Sequence, residues 1–200
     1  MDFSHTPIIE LARIIAEHLQ DQGIEVVLVG GLAVEIYTEN IYLTKDIDMV
    51  NTNYASSRHL NTAMAQLGFA KKGRIYVNPT TDITVEFPTG PLSVGDELIT
   101  RVTVAQLATG QIPILQVSDI VKDRLAAYFH WRDRQSLVQA LAILVKHPLK
   151  ITSIKAFCNQ ECAESFYPAL KTLLNKARKQ KLAQMEELEL MVADYFIDEL

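Results

Sequence analysis

Apolar residues recur at two different spacings along the chain of 200 residues, and the spacing separates an α/β part from a helical part. Apolar positions three and four apart predict a first helix that starts at Thr6-Pro7 and ends near Gly23. The β-branched run Val26–Val29 then predicts a buried strand. Beyond residue 118 the helical spacing continues almost to the end, with breaks at Pro148, at 165–168 and near Lys181.

Short alternating segments between these two parts predict several more strands and one helix. The expected strands cover 46–50, 74–78, 82–87, 98–104 and 112–117, and the helix covers 56–67. Ser118 is the expected N-cap of the first C-terminal helix. This order predicts an α+β fold, in which a small mixed β-sheet is flanked by helices and followed by a C-terminal helical extension. The expected domains are an α/β core over 1–117 and a helical domain over 118–200.

Two motifs in the α/β part predict chemistry. The first strand runs into Gly30-Gly31, where backbone N–H groups can approach a ligand closely. The strand at 46–50 carries Asp46 and Asp48, which project from one face because side chains alternate along a strand. Each motif alone is common, because paired glycines usually mark a plain turn and pairs of acids with this spacing are expected from composition. Their order, with a short helix between them, predicts a metal and phosphate site.

A third carboxylate is expected on the strand at 82–87. Its alternation places Asp82, Thr84 and Glu86 on one face, and phosphoryl-transfer sites with two metal ions need more than two acidic ligands. The alternative for Glu86 is a solvated acid on a half-exposed strand. Thr44 and Lys45 precede the aspartates and either reach a phosphate or are ordinary residues at a strand edge.

These motifs resemble the signature of the nucleotidyltransferase superfamily with the polymerase-beta type core. The matching residues are Gly30-Gly31-Leu32-Ala33, Asp46-Ile47-Asp48-Met49-Val50 and Val85-Glu86-Phe87. Within that superfamily the chain is most similar to the abortive-infection toxin-like (AbiEii) and related bacterial nucleotidyltransferases. The segments 118–127 and 133–137 resemble the helical segment that follows the core in that group, so the resemblance covers residues 22–145. Many members carry Ser where this chain has Gly31, which offers a phosphate only its backbone.

The resemblance implies a Mg²⁺-dependent reaction that moves a nucleoside monophosphate from an NTP to a hydroxyl of RNA, protein or a small molecule. It implies that Asp46 and Asp48 hold Mg²⁺, and that Glu86 completes the metal site and helps to activate the hydroxyl. The residues implied at the nucleotide are Gly30, Gly31, Thr44 and Lys45. It also implies a toxin with an antitoxin partner. The alternative is a non-catalytic relative that serves as a binding or antitoxin-like module, but three retained acids favour the enzyme.

Composition is that of an ordinary folded protein, with 48% hydrophobic and 22% charged residues. No apolar run approaches the ~18 residues of a membrane span, and the first residues do not resemble a signal peptide. We therefore expect a cytoplasmic protein without a membrane partner. Cys158 and Cys162 are four apart on a predicted helix, which favours small packed side chains over a metal site because no further ligand pair is nearby.

The net charge of −5 conceals two opposed blocks. Residues 146–181 contain eight Lys or Arg and two Glu, whereas residues 182–200 contain six acids and no Lys or Arg. The basic run at 176–181 either contacts RNA phosphates or is a solvated helix face. Lys71, Lys72 and Arg74 lie nearer the predicted site and either meet nucleotide phosphates or belong to an exposed loop.

Two further groups in the helical part remain open. Tyr128, Phe129 and Trp131 either stack on a base or pack in the core. Arg124 and Asp133 match polar positions of the resembling segment, and each either faces a cleft or forms an ion pair within the chain.

Overall fold

The structure is a computed structural model that describes residues 1–198, with side chains as far as residue 196. The helices are α1 (Ile8–Asp21), α2 (Gly30–Thr38), α3 (Ser57–Gln66), α4 (Val117–Trp131), α5 (Arg134–Lys146), α6 (Ile151–Gln160), α7 (Tyr167–Gln180) and α8 (Met185–Asp198), with a 3-10 helix at Glu164–Phe166. The strands are β1 (Val26–Val29), β2 (Asp46–Asn51), β3 (Ala70–Lys72), β4 (Ile75–Val77), β5 (Thr84–Glu86), β6 (Ser93–Val94), β7 (Glu97–Leu98), β8 (Thr103–Leu107) and β9 (Gly110–Ile114).

Seven of these strands form one mixed sheet in the order β3-β4-β5-β2-β1-β9-β8, and β6 pairs with β7 separately. The central strand β2 runs antiparallel to β1 and parallel to β5, while β9 runs parallel to β1. The predicted fold class is therefore confirmed, since a mixed sheet with flanking helices is followed by a run of C-terminal helices.

The chain folds into two compact units. A sheet unit contains Met1–Ile36, Leu43–Ser93 and Leu98–Gln116, and a helical unit contains Tyr37–Tyr42, Val94–Glu97 and Val117–Leu200. Two short segments from the first half of the chain thus group with the helices. The assignment of 1–117 and 118–200 as separate domains stays a prediction.

The sheet unit is held together by an apolar stripe of α1 and by one face of the central strands. Leu11, Ile15 and Leu19 are fully buried on α1, at the spacing of one helix face. Ile47 and Met49 are fully buried on β2, and they alternate with residues that are exposed or half-buried. The face of β2 that carries Asp46 and Asp48 is therefore the open one.

The helical unit is built around α5. Every residue of this helix from Ser136 to Leu144 is buried, and α5 contacts α4, α7 and α8. A helix that is buried all round belongs at the centre of its unit.

Several predicted elements differ from the structure. The strand expected at 98–104 is wrong as a single strand, because Leu98 ends β7 and β8 starts only at Thr103. Thr103 pairs with Ile114, the last residue of β9, so residues before Thr103 have no β9 partner. Ser118 is not an N-cap, since α4 already starts at Val117. Strand β3 was not predicted, because its three residues are all exposed and show no apolar alternation. No helix among the described residues has the length and apolar character needed to cross a membrane.

Candidate active site

Gly30 joins β1 to α2 and lies directly against Asp48. Its φ of +67° is in the left-handed region that favours glycine. The preceding residue, Val29, is the register partner of Asp48 on β2. A Cβ at Gly30 would stand 3.1 Å from both Cβ and Cγ of Asp48 and would collide with its Oδ2. The backbone turn and the carboxylate therefore fit together only because position 30 has no side chain.

The parallel pairing of β2 with β5 brings the third acid to the same place. Asp48 is the register partner of Glu86, and Asp46 is the register partner of Thr84. Neighbouring strands lie about 4.8 Å apart, and residues two apart on a strand lie about 6.6 Å apart on the same face. The three acidic residues therefore occupy adjacent backbone positions in the sheet.

The side chains of these acids have other partners. The Thr84 hydroxyl donates to Oδ1 of Asp46 at 2.5 Å, and Nε of Arg74 donates to Oε1 of Glu86 at 3.3 Å. Among the side chains that the structure describes, those of residues 1–196, no group of three or more His, Cys, Asp or Glu is arranged to hold a metal ion. The backbone register thus brings the acids together, whereas their carboxylates are not gathered around one point.

Thr44 and Lys45 lie at the start of β2, as the sequence indicated. The Thr44 hydroxyl accepts a hydrogen bond from the backbone N–H of Asp46 at 3.2 Å. Lys45 forms an exposed ion pair with Asp82, which raises the pKa of the lysine and lowers that of the aspartate. Both contacts order the chain ahead of the aspartates. A direct role of Thr44 or Lys45 at a nucleotide stays a prediction.

Glu35 supports the site and was not predicted. Its side chain on α2 is 4% exposed, and Oε2 accepts the backbone N–H of Thr44 at 3.0 Å. Burial raises the pKa of this carboxyl group, although the hydrogen bond from Thr44 opposes the shift. The contact ties the helix after Gly30 to the residues before Asp46. The sequence feature that points to Glu35 is that it is the single acidic residue in the mainly apolar helix Gly30–Thr38.

Other candidates in the sheet unit have mainly structural partners. Lys71 and Lys72 lie on the exposed strand β3 rather than in a loop, and Nζ of Lys71 stands 5.6 Å from the centre of the Tyr76 ring. Both lysines remain open to solvent on the hairpin that also carries Arg74.

The polar candidates of the helical unit also have structural roles. Asp133 caps α5, since its carboxylate accepts the Gln135 N–H at 3.0 Å and the Ser136 hydroxyl at 2.6 Å. Arg124 pairs with the adjacent Asp123 at 2.5 Å. The ion-pair alternative for Arg124 is therefore confirmed, and Asp133 is an N-cap.

The aromatic and cysteine candidates divide between core and surface. Tyr128 is buried and packs 4.9 Å from Phe166, whereas Trp131 is 81% exposed. Cys158 is buried, and burial raises the pKa of its thiol to about 11, while Cys162 is exposed. In the basic run at 176–181, Arg178 donates to the Leu144 carbonyl at 2.8 Å. The acidic segment 182–200 includes two residues, 199 and 200, that lie outside the described residues.

Comparisons with solved structures find likeness to ANT(2″)-Ia. A crystal structure of that protein in complex with adenylyl-2″-tobramycin has 13% sequence identity and a TM-score of 0.44, with 81% of this chain and 95% of that chain covered. A solution structure of the antibiotic-resistance factor ANT(2″)-Ia has 15% identity and a TM-score of 0.45, with 90% and 100% covered. No family model matches the chain, and no curated protein matches it.

Proposed function

We propose that this chain is a Mg²⁺-dependent nucleotidyltransferase, which moves a nucleoside monophosphate from an NTP to an acceptor hydroxyl and releases pyrophosphate as the bond between the α- and β-phosphates breaks. The observation that carries the proposal is the register at the centre of the sheet. Gly30 lies against Asp48, Asp48 lies beside Glu86 on a parallel strand, and Asp46 follows on the same face. Three carboxylates beside a glycine turn at a helix start match what phosphoryl transfer needs, namely cation ligands next to an anion site.

The donor set fits magnesium, because Mg²⁺ prefers hard oxygen ligands and usually takes few of them from the protein. Asp46 and Asp48 would hold the cation, and Glu86 would join them once its carboxylate leaves Arg74. When bound, the metal would neutralise charge on the nucleotide phosphates.

The remaining steps belong to the chain's own residues. The first turn of α2, which starts at Gly30-Gly31, would bind phosphate oxygens through backbone N–H groups. Glu86 would accept the proton of the attacking hydroxyl. Thr44 and Glu35 would keep the start of β2 in position through the contact between them. RNA, protein and small molecules remain the acceptor classes to test.

The proposal includes two more specific expectations, one about the subfamily and one about the biological role. One is a place among the AbiEii-type proteins, and the other is a toxin held by an antitoxin partner. The second is testable in cells, where expression of the wild-type chain should arrest growth and Asp48→Asn should relieve the arrest. Growth arrest that persists in Asp48→Asn would contradict a catalytic toxin.

The central experiment measures label transfer. Each α-labelled NTP is incubated with the full chain, Mg²⁺ and either total RNA or total protein. Asp48→Asn keeps the size of the side chain but removes its charge, so we expect transfer to fall by at least about a hundredfold. Asp21→Asn, at the exposed end of α1, is the matched control and should retain wild-type transfer.

The alternative function is a non-catalytic binding module. It predicts that the wild-type chain transfers no label to any acceptor and that Asp48→Asn binds nucleotide or partner as well as wild type does. Equal transfer by wild type and Asp48→Asn would contradict the proposed site.

A further inference from the structure

A cavity of about 410 Å³ lies within the helical unit. Its walls come from the end of α4, from the connection between α6 and α7, and from α8. This volume is in the lower part of the range of about 300 to 1,000 Å³ that small-molecule sites occupy. None of the residues proposed for nucleotidyl transfer lines the cavity, so its ligand is a separate question.

Five aromatic side chains contribute to the wall, beside a larger polar surface. Phe166 lies 4.9 Å from Tyr128 and 5.5 Å from Phe129, in both cases between ring centres. On α8, the rings of Tyr195 and Phe196 are 5.6 Å apart and nearly perpendicular. Rings in such arrangements present flat faces and edges to a neighbouring ring. A planar aromatic ligand is the shape that this wall suits.

Both carboxylate oxygens of the acidic side chain in the wall already have hydrogen-bond partners. Glu161 has a side chain that is only 4% exposed, and its Oε2 lies 2.7 Å from Nε2 of His130. Its Oε1 accepts the backbone N–H of Asp96 at 3.3 Å. With both oxygens engaged, this carboxylate offers little to a cationic ligand.

The wall also carries an exposed basic side chain, that of Arg132. Arg132 lines the same cavity, and its guanidinium forms no ion pair with any residue in the described part of the chain. Its backbone N–H donates to the Tyr128 carbonyl at 2.9 Å, which places the residue directly after the end of α4. Because the Glu161 carboxylate is buried and the Arg132 side chain is exposed, the guanidinium of Arg132 is the charged group of these two that a ligand can reach.

We propose that this cavity binds a small molecule that consists of a flat aromatic ring with one anionic group. The ring packs against Phe166, and the anion pairs with the guanidinium of Arg132. A guanidinium binds carboxylates and phosphates alike, so an aryl carboxylate and a nucleoside monophosphate share the required chemistry.

The test compares benzoate, benzamide and benzylammonium, which share a ring and differ in charge, and adds adenosine 5′-monophosphate. Trp131 is the chain's single tryptophan, it is exposed, and it precedes Arg132, so we expect its emission to change on binding; isothermal titration calorimetry measures the same affinities without it. We expect saturable binding in which an anionic probe binds at least about fivefold tighter than benzamide. Whichever of benzoate and adenosine 5′-monophosphate binds more tightly shows whether the site prefers a carboxylate or a phosphate.

Two variants locate the site. Arg132→Gln should remove the preference for benzoate over benzamide, while benzamide affinity stays within twofold of wild type. Phe166→Leu keeps an apolar side chain but removes the ring, and should weaken benzoate and benzamide alike by about threefold or more. Arg101→Gln, an exposed arginine of the sheet unit, is the control and should change nothing.

Thermal melts show that each variant is folded before binding is measured. The proposal is overturned if no probe gives a saturable signal, if benzylammonium binds tighter than both anions, or if Arg132→Gln keeps the full preference for benzoate. None of these results depends on whether the chain transfers nucleotides.

Discussion

At the scale of single residues, the candidate site depends on a close fit between a glycine and an aspartate. Gly30 adopts φ +67° with the Asp48 side chain against it. Gly73, in the β3–β4 hairpin, adopts φ +65°, and a Cβ there would have no neighbour within 4 Å. The two glycines thus share a backbone conformation and differ in their surroundings. This contrast separates backbone strain from steric conflict.

Substituting Gly30→Ala should therefore cost more than Gly73→Ala. Left-handed backbone costs alanine about 1 kcal/mol, which is the whole expected loss at Gly73. At Gly30 the new methyl group also displaces Asp48, and we expect a loss of about 2–4 kcal/mol together with weaker nucleotide binding. Urea unfolding of both variants measures the difference. Equal losses in the free energy of unfolding would show that the Asp48 side chain can move aside without destabilising the fold.

A second prediction at this scale concerns Arg74, which forms an ion pair with the proposed metal ligand Glu86. It is 90% exposed and contacts Glu86, whose side chain is 29% exposed. If Glu86 is a metal ligand, the arginine competes with the cation for this carboxylate. Arg74→Gln should then tighten Mn²⁺ binding without nucleotide by about twofold to threefold.

Electron paramagnetic resonance titration with Mn²⁺ measures that affinity directly. Arg58→Gln on α3, another exposed arginine, should leave it unchanged. Weaker Mn²⁺ binding by Arg74→Gln would remove Glu86 from the proposed ligand set.

At the scale of elements, the start of a helix explains Asp133, for which the sequence left a cleft-facing position and an ion pair as alternatives. Asp133 precedes α5, the buried central helix of its unit, and its carboxylate accepts from Gln135 and Ser136. An aspartate at this position pairs with otherwise unsatisfied N–H groups of the first turn. Its role is therefore to start α5.

Substituting Asp133→Ala should lower the free energy of unfolding by about 1–2 kcal/mol, because the first turn loses its cap. Asp133→Ser, which can also accept from the first turn, should recover most of that loss. Chemical unfolding followed by circular dichroism provides both values. An alanine variant as stable as wild type would show that the cap contributes nothing.

At the scale of the whole molecule, side-chain contacts join parts of the sheet unit that are distant in sequence. Glu10 on α1 accepts from Arg13 and from the Thr109 hydroxyl in the β8–β9 turn, 99 positions away. These hydrogen bonds, Arg13 first, lower the pKa of Glu10 from 4.5 to about 2. A carboxyl group with a lowered pKa stabilises the fold when ionised, so its contribution is complete above pH 4.5.

Wild type should therefore be more stable than Glu10→Gln above pH 5, and the difference should shrink as the pH falls from 4.5 towards 2. Because 27% of the Glu10 side chain is exposed, we expect a difference of about 1 kcal/mol rather than the full value of the shift. Thermal unfolding of both proteins across this pH range measures it. A difference that is the same at pH 6 and pH 2.5 would contradict the assigned role.

The sequence by itself determined the fold class and the local part of the site. Periodicity located β1, β2 and most helices, and alternation placed Asp46 and Asp48 on one face, because these are properties of a single strand or helix. Gly30 was recognisable for the same reason, since a glycine pair after an apolar run is a local signal.

Only the tertiary structure decided which strands are neighbours. The pairing of β2 with β5 places Glu86 beside Asp48. The hydrogen bond between Glu35 and Thr44 likewise joins two segments, and no local sequence pattern predicts that they meet. The same holds for the ring-lined cavity, where Phe166, Tyr128 and Phe196 come from three separate segments. Periodicity describes how a side chain is directed within its own element, whereas register and packing depend on contacts between distant parts of the chain.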